Sequence, residues 1–150
     1  MNMQKLIVST LSTFVLAATL AAPAVAEDID QMAGKWSVQK TSDDGQRITQ
    51  QLEITKNKFA FQIKGPDAQT RLYAQGEVKL GKSGPFKTIT FTNIQAGLSA
   101  DAVDSIEDTY TSIYTFGEDD TFLVVMNFDK ERDEQKPSLD AYRKMRQAKK

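Results

Sequence analysis

Between Arg71 and Leu80 the chain alternates without a break: Leu72, Ala74, Gly76, Val78 and Leu80 interleave with Arg71, Tyr73, Gln75, Glu77 and Lys79. Successive side chains of a strand point to opposite faces, so a period of two describes a strand buried on one face and wetted on the other. The same rhythm recurs along most of the chain. Trp36 and Val38 lie on one face of a predicted strand from about Lys35 to Thr41. Ile48, Leu52 and Ile54 share a face of the next, with Gln50 among them, and Phe59, Phe61 and Ile63 that of the third. Ile89 and Phe91 mark a fifth. Tyr110, Ser112, Tyr114 and Phe116 line a sixth, and Phe122, Val124, Met126 and Phe128 a seventh. Turn signals separate them: Ser42-Asp43-Asp44-Gly45, Lys56-Asn57, Gly65-Pro66-Asp67, Gly81 to Pro85, and Gly117 to Asp120, each supplying Gly, Pro, Asn or Asp where the chain must reverse.

Seven strands that are apolar on one face cannot stand as an open flat sheet. They close on themselves or form two layers, because closure removes unpaired edges. Short connections favour an up-and-down antiparallel β-barrel over an immunoglobulin-like sandwich, whose crossings need longer loops. Gly76 on the inward face points to a sharp bend or a close backbone approach, as a barrel corner needs. Two stretches depart from the rhythm. Asn93 to Asp108 reads as a long loop holding a short helix, with Ser99 as N-cap and Ala102, Val103 and Ile106 at helical spacing. After the charged run Asp129 to Lys136 and Pro137, Ser138 reads as the cap of a basic C-terminal helix through Leu139, Tyr142 and Met145, a last strand being the alternative.

The N-terminus is an address. Lys5 precedes an uncharged, largely apolar run from Leu6 to Ala22, Pro23 breaks it, and Ala24-Val25-Ala26 gives the small-x-small pattern of a signal-peptidase site just before Glu27-Asp28. The run is diluted by Ser and Thr and is short for a spanning helix, and no Cys follows it for lipid attachment. Residues 1–26 are therefore expected to be a cleaved signal peptide and 27–150 a single released domain, periplasmic or secreted, with no membrane span after cleavage. With Lys5 removed, the 19 basic and 20 acidic side chains leave a net charge of about −2, which offers no electrostatic case for nucleic acid. The domain is expected to be a monomer.

Two absences narrow the chemistry. The chain has no Cys and no His, so no disulfide supports the fold and the commonest general base, the Ser-His and Cys-His pairs and imidazole metal sites are all missing. The acidic groups Asp101, Asp104, Glu107, Asp108 and Glu118, Asp119, Asp120 lack the ligand rhythm and placed Gly of a calcium loop. No catalytic residue, no metal site and no cofactor is expected, and the reading is a non-enzyme.

Gly34-Lys35-Trp36, a G-x-W entering the first strand, resembles the start of the lipocalin (calycin) barrels. Asp108-Thr109-Tyr110-Thr111-Ser112-Ile113-Tyr114 loosely resembles that family's second motif, with its first two letters exchanged. The layout is similar to that of small lipocalin-like domains of bacterial exported proteins: a D-G turn, Gly76 to Leu80, Lys87-Thr88-Ile89, Ile113-Tyr114 and Lys136-Pro137-Ser138 follow in order over residues 33–140. The resemblance implies a lipocalin-like barrel, with Gly34 and Trp36 closing one end and a cation from near the C-terminus, Arg143 or Arg146, lying across the indole.

Within such a barrel Gln50, Tyr110, Ser112 and Tyr114 are polar groups on apolar faces. With Phe61 and Phe91 they are candidates for a pocket that orients a small apolar or amphipathic ligand. Against this, a small barrel is just wide enough for its own side chains, and Trp36, Phe59, Phe61, Phe91, Phe116, Phe122, Met126 and Phe128 favour an interior filled or nearly so. A periplasmic protein partner gripped by rim loops, the Asn93–Asp108 excursion above all, is the alternative function.

Overall fold

In a computed structural model, residues 23–131 and 135–146 are described, with side chains from Ala26 onward; the apolar run before Pro23 lies outside them. A helix, α1 (Pro23–Met32), leads into nine strands: β1 (Gly34–Thr41), β2 (Arg47–Thr55), β3 (Lys58–Lys64), β4 (Thr70–Ser83), β5 (Phe86–Ser99), β6 (Ala102–Ser105), β7 (Tyr110–Phe116), β8 (Thr121–Met126) and β9 (Ser138–Lys144). Eight of them close in the order β4-β3-β2-β1-β9-β8-β7-β5 and back to β4, every pair antiparallel. The expected up-and-down barrel is what forms, and its closure leaves none of these eight strands with a free edge along the whole ring.

Both irregular stretches are strand: the short loop helix expected between Asn93 and Asp108 does not form, and the C-terminal segment takes the last-strand alternative. Residues 93–105 are a hairpin: β5 runs on past the barrel wall and β6 folds back on it, Gln95 opposite Ser105 and Gly97 opposite Val103. β6 and β7 lie along the same edge of β5, separated by residues 106–109, so together they form one broken strand. The spacing of Ala102, Val103 and Ile106 suits a helix, but pairing with β5 satisfies the backbone groups of both segments, and that tertiary partner prevails. The C-terminal segment is likewise strand β9, not a helix. It pairs with β8 along its length, Met126 opposite Ser138 through Thr121 opposite Arg143, and with β1 at Trp36–Lys144 and Ser37–Arg143. Its buried residues are Asp140 and Tyr142, while Leu139 is 65% exposed. A helix would have buried Leu139 and left the barrel unclosed between β1 and β8.

One end of the barrel is sealed. Gly34, at φ +123°, turns the chain from α1 into β1, and a Cβ there would stand 3.2 Å from Lys144 Cε, so Gly suits both the backbone angle and the close neighbour. The turn places Trp36 at the base of the interior, 2% exposed, where its indole N–H donates to the Met32 carbonyl at 2.7 Å. Trp36, Tyr114 and Phe116 surround Phe122 at ring separations of 5.4, 5.9 and 5.5 Å. Lys144, not Arg143 or Arg146, supplies the cation over Trp36, its Nζ 5.1 Å from the ring. Strand alternation explains the choice: Lys144 shares the inward face of β9 with Tyr142, and Arg143 points out. α1 is pinned across the same end by Asp28, whose carboxylate accepts from Tyr114 OH at 2.8 Å and pairs with Lys87 at 2.8 Å.

Gly76 marks the corner. β5 carries a bulge here, Asn93 (φ 51°) and Ile94 standing opposite the single Gly76 of β4 between the pairs Gln75–Gln95 and Glu77–Thr92. A Cβ on Gly76 would lie 2.6 Å from the Thr92 carbonyl oxygen and 2.9 Å from the ring of Phe59. The bend therefore depends on a residue without a side chain.

Candidate functional site

Trp36, Tyr114, Phe116 and Phe122 fill the sealed half of the barrel, and the other half is hollow. A cavity of about 600 Å³ opens at the end formed by the β1–β2 turn, the β5–β6 hairpin and the start of β9. That volume falls within the roughly 300–1,000 Å³ range of small-molecule sites. The expectation of a filled interior thus holds for the lower half alone. The reason is how the bulk meets: on the sealed side Trp36, Tyr114 and Phe116 converge on Phe122 across the interior, whereas on the open side Phe59, Phe61 and Phe91 share the wall with the small Ala74 and Ala96.

The wall of the cavity is sided. From β3, β4 and β5 it presents Phe59, Phe61, Ile63, Leu72, Ala74 and Phe91, with Phe59 set edge-on to Phe91 at 4.9 Å. From β9, β1 and β2 it presents the polar cluster Ser138, Asp140, Tyr142, Lys40 and Gln50, with Ile48 and Leu52 of β2 on either side of Gln50. The two strands of this polar wall are in register to meet. Trp36 faces Lys144 and Ser37 faces Arg143, and the same antiparallel register continued upward sets Lys40 against Asp140. Their side chains pair at 2.6 Å, with Asp140 4% exposed and the Lys40 side chain 31%. Two residues along β9 from Asp140, Tyr142 OH reaches across β1 and donates to Gln50 Oε1 of β2 at 3.1 Å. Burial raises the Tyr142 phenol well above the ordinary tyrosine range, and the neighbouring Asp140 charge adds to it, so Tyr142 stays a neutral donor.

Of the residues expected at a pocket, Gln50, Phe61, Phe91 and Tyr110 line this cavity. Ser112 and Tyr114 do not. Ser112 is 1% exposed and its hydroxyl meets Met126 Sδ at 3.3 Å. Tyr114 lies still deeper, its hydroxyl given to Asp28 beneath the floor. Burial, followed by the hydrogen bond and charge of Asp28, raises its phenol too. Both face inward as the alternation requires, but the height of a residue along a tilted strand, not its face, decides whether it meets the cavity. Lys40, Asp140 and Tyr142 escaped the sequence reading. A signal for the last two was present in the period-two spacing of Ser138, Asp140, Tyr142 and Lys144, obscured by the competing spacing of Leu139, Tyr142 and Met145.

The arrangement is suited to holding a guest with an apolar body and a polar end. Among the described residues no group of three or more Asp or Glu side chains is placed to hold a metal ion, and no helix is long and apolar enough to cross a membrane. Comparison with protein-family models, with curated proteins and with solved structures finds no match.

Proposed function

We propose that the chain is an exported, non-catalytic barrel of lipocalin type that carries or senses one small apolar or amphipathic molecule in the periplasm or outside the cell, without a cofactor. The observation that carries this reading is the open cavity of about 600 Å³, aromatic and aliphatic over most of its wall, with a polar cluster of Lys40, Gln50, Ser138, Asp140 and Tyr142 on one side. A barrel that needed only stability would gain from filling that space, since unfilled apolar volume forfeits packing contacts. The leader-like residues 1–26 and the G-x-W start at Gly34 to Trp36 support export and the lipocalin comparison. The test is native mass spectrometry of protein recovered from its own extracytoplasmic compartment. We expect a mature chain beginning at Glu27 with an added small mass that denaturation releases. A bare polypeptide, both from the wild type and after incubation with a lipid-extract library, refutes the carrier reading.

A second reading has an observation of its own. The β5–β6 hairpin overhangs the mouth with Leu98 74% exposed and Ile106 39% exposed, and the outer edge of β6 ends the sheet order. A protein partner that adds a strand to β6 would use both the free edge and the apolar tip. Leu98→Asp abolishes such a complex and leaves ligand retention intact, whereas Ala74→Phe does the reverse.

A further inference from the structure

The polar wall constrains the head group of the guest. We propose that the cavity recognises a molecule whose polar end is uncharged and carries a donor beside an acceptor, such as an alcohol or a primary amide, in preference to a carboxylate or an ammonium. This inference rests on the carrier reading and concerns the chemistry of that same site.

The argument begins with Asp140. A carboxylate that is 4% exposed is tolerable as an anion when a cation meets it, and Lys40 does so at 2.6 Å. The charge of Lys40 is thereby committed. Among the described residues the remaining charged group on the lining is Asp43, at the exposed rim, so within that set one ammonium faces two carboxylates around the cavity. Among these residues an incoming carboxylate finds no uncommitted cation. It also approaches Asp140, whose like charge repels it. An incoming ammonium has to compete with Lys40 for Asp140, and success would strand one of the two cations. Either ion loses its hydration without the unpaired counter-charge that would offset the loss.

A neutral head loses less and finds partners. Among the described residues Asp140 is bonded through Oδ1, which leaves Oδ2 able to accept. Gln50 uses Oε1 toward Tyr142, which leaves its amide N–H groups able to donate. Both residues line the cavity. A hydroxyl can donate to Asp140 and accept from Gln50 or Lys40, while its hydrocarbon lies against Phe61, Phe59 and Phe91. A site built from paired donors and acceptors discriminates through the groups a wrong ligand leaves unpaired.

The test uses the purified chain from Glu27 and an environment-sensitive apolar fluorophore as the displaced probe. Competitors share one eight-carbon tail and differ at the end: octanol, octanamide, octanoate and octylamine, at pH 7 and fixed ionic strength. We expect octanol and octanamide to displace the probe at concentrations roughly tenfold or more below either ion, the factor that one unpaired charge-assisted bond represents. Octanoate or octylamine equal to the neutral pair overturns the proposal. Failure of all four to displace the probe refutes the carrier reading instead. A charge-swap arm is decisive. Asp140→Asn, close to isosteric, frees Lys40 and should raise octanoate affinity roughly tenfold or more; Lys40→Met frees Asp140 and should do the same for octylamine. An unchanged ranking in Asp140→Asn, with circular dichroism confirming the fold, also overturns the proposal, even where Lys40→Met does not fold.

Discussion

Replacing Trp36 tests the sealed end of the barrel most directly. The indole is 2% exposed, stacks at an angle on Phe122 with centroids 5.4 Å apart, lies under the Lys144 ammonium and donates to the Met32 carbonyl. Truncating a buried Trp to Ala costs about 3–5 kcal/mol in lost burial and cavity. The Met32 carbonyl then loses its donor, about 1 kcal/mol more. Trp36→Ala should therefore lose about 4–6 kcal/mol, against about 5–15 kcal/mol for a whole domain. Trp36→Phe keeps a ring against Phe122 and a surface under Lys144, and should lose about 1–3 kcal/mol. Urea unfolding followed by far-ultraviolet circular dichroism reads both. For a slope near 2 kcal/mol/M the Trp36→Ala midpoint falls by about 2 M or more, or no folded baseline remains. Trp36 is the single Trp of the chain, so wild-type emission should be blue-shifted and move to the red on unfolding. Trp36→Ala within about 1 kcal/mol of the parent, or water-like emission from the native protein, would refute the packing argument.

Three further outcomes are expected. Tyr114 and Tyr142 are held neutral beyond the usual tyrosine range; their unfolded forms ionise near pH 10, so the stability they contribute is fully present below that pH and is lost as pH rises through and above it. Ultraviolet titration should then show Tyr114 and Tyr142 resisting ionisation until the barrel unfolds. Lys144→Met should cost about 0.5–1 kcal/mol through the lost cation–π contact, measured by urea melts in which Arg143→Ala and Arg146→Ala stay near the parent. Gly76→Ala brings a methyl to 2.6 Å from the Thr92 carbonyl oxygen, and should cost about 1–3 kcal/mol by displacing β4 from β5; a melting temperature equal to the parent would show that the corner does not need Gly. 

The strands, their faces and their closure were legible because period-two alternation is a local property that burial on one face imposes. β4 shows this best, since Leu72 to Leu80 point inward as the sequence pattern implies. The choice is left open where two periods coincide. Residues 138–145 carry both a strand pattern in Ser138, Asp140 and Tyr142 and a helical one in Leu139, Tyr142 and Met145. The choice belongs to β8 and β1, whose unpaired edges only a strand can satisfy. The site suffered more than the fold. Gln50, Phe61, Phe91 and Tyr110 were found from their faces, but the polar wall joins Lys40 to Asp140 across 100 positions of sequence, and that meeting depends on a register no local pattern encodes. Ser112 and Tyr114 misled for a related reason, because facing inward says nothing of depth.

The ring is joined where its first strand meets its last, at Trp36–Lys144 and Ser37–Arg143. That junction has a kinetic meaning. The wall β1 to β5 can zip by successive hairpins of neighbouring segments, each closing a short loop, but the final seam brings together residues more than a hundred positions apart, which carries the largest loop-closure entropy in the molecule. Until Lys144 is available no intermediate can be a closed barrel, Trp36 has no cation above it, and Asp140 and Lys40 are both solvated. A chain emerging from the ribosome, or threading through a translocation pore from its N-terminus, is thus held open by its own topology until the C-terminal strand arrives. Under the export proposed above, delay of this kind would let the polypeptide cross a membrane unfolded and acquire its shape on the far side.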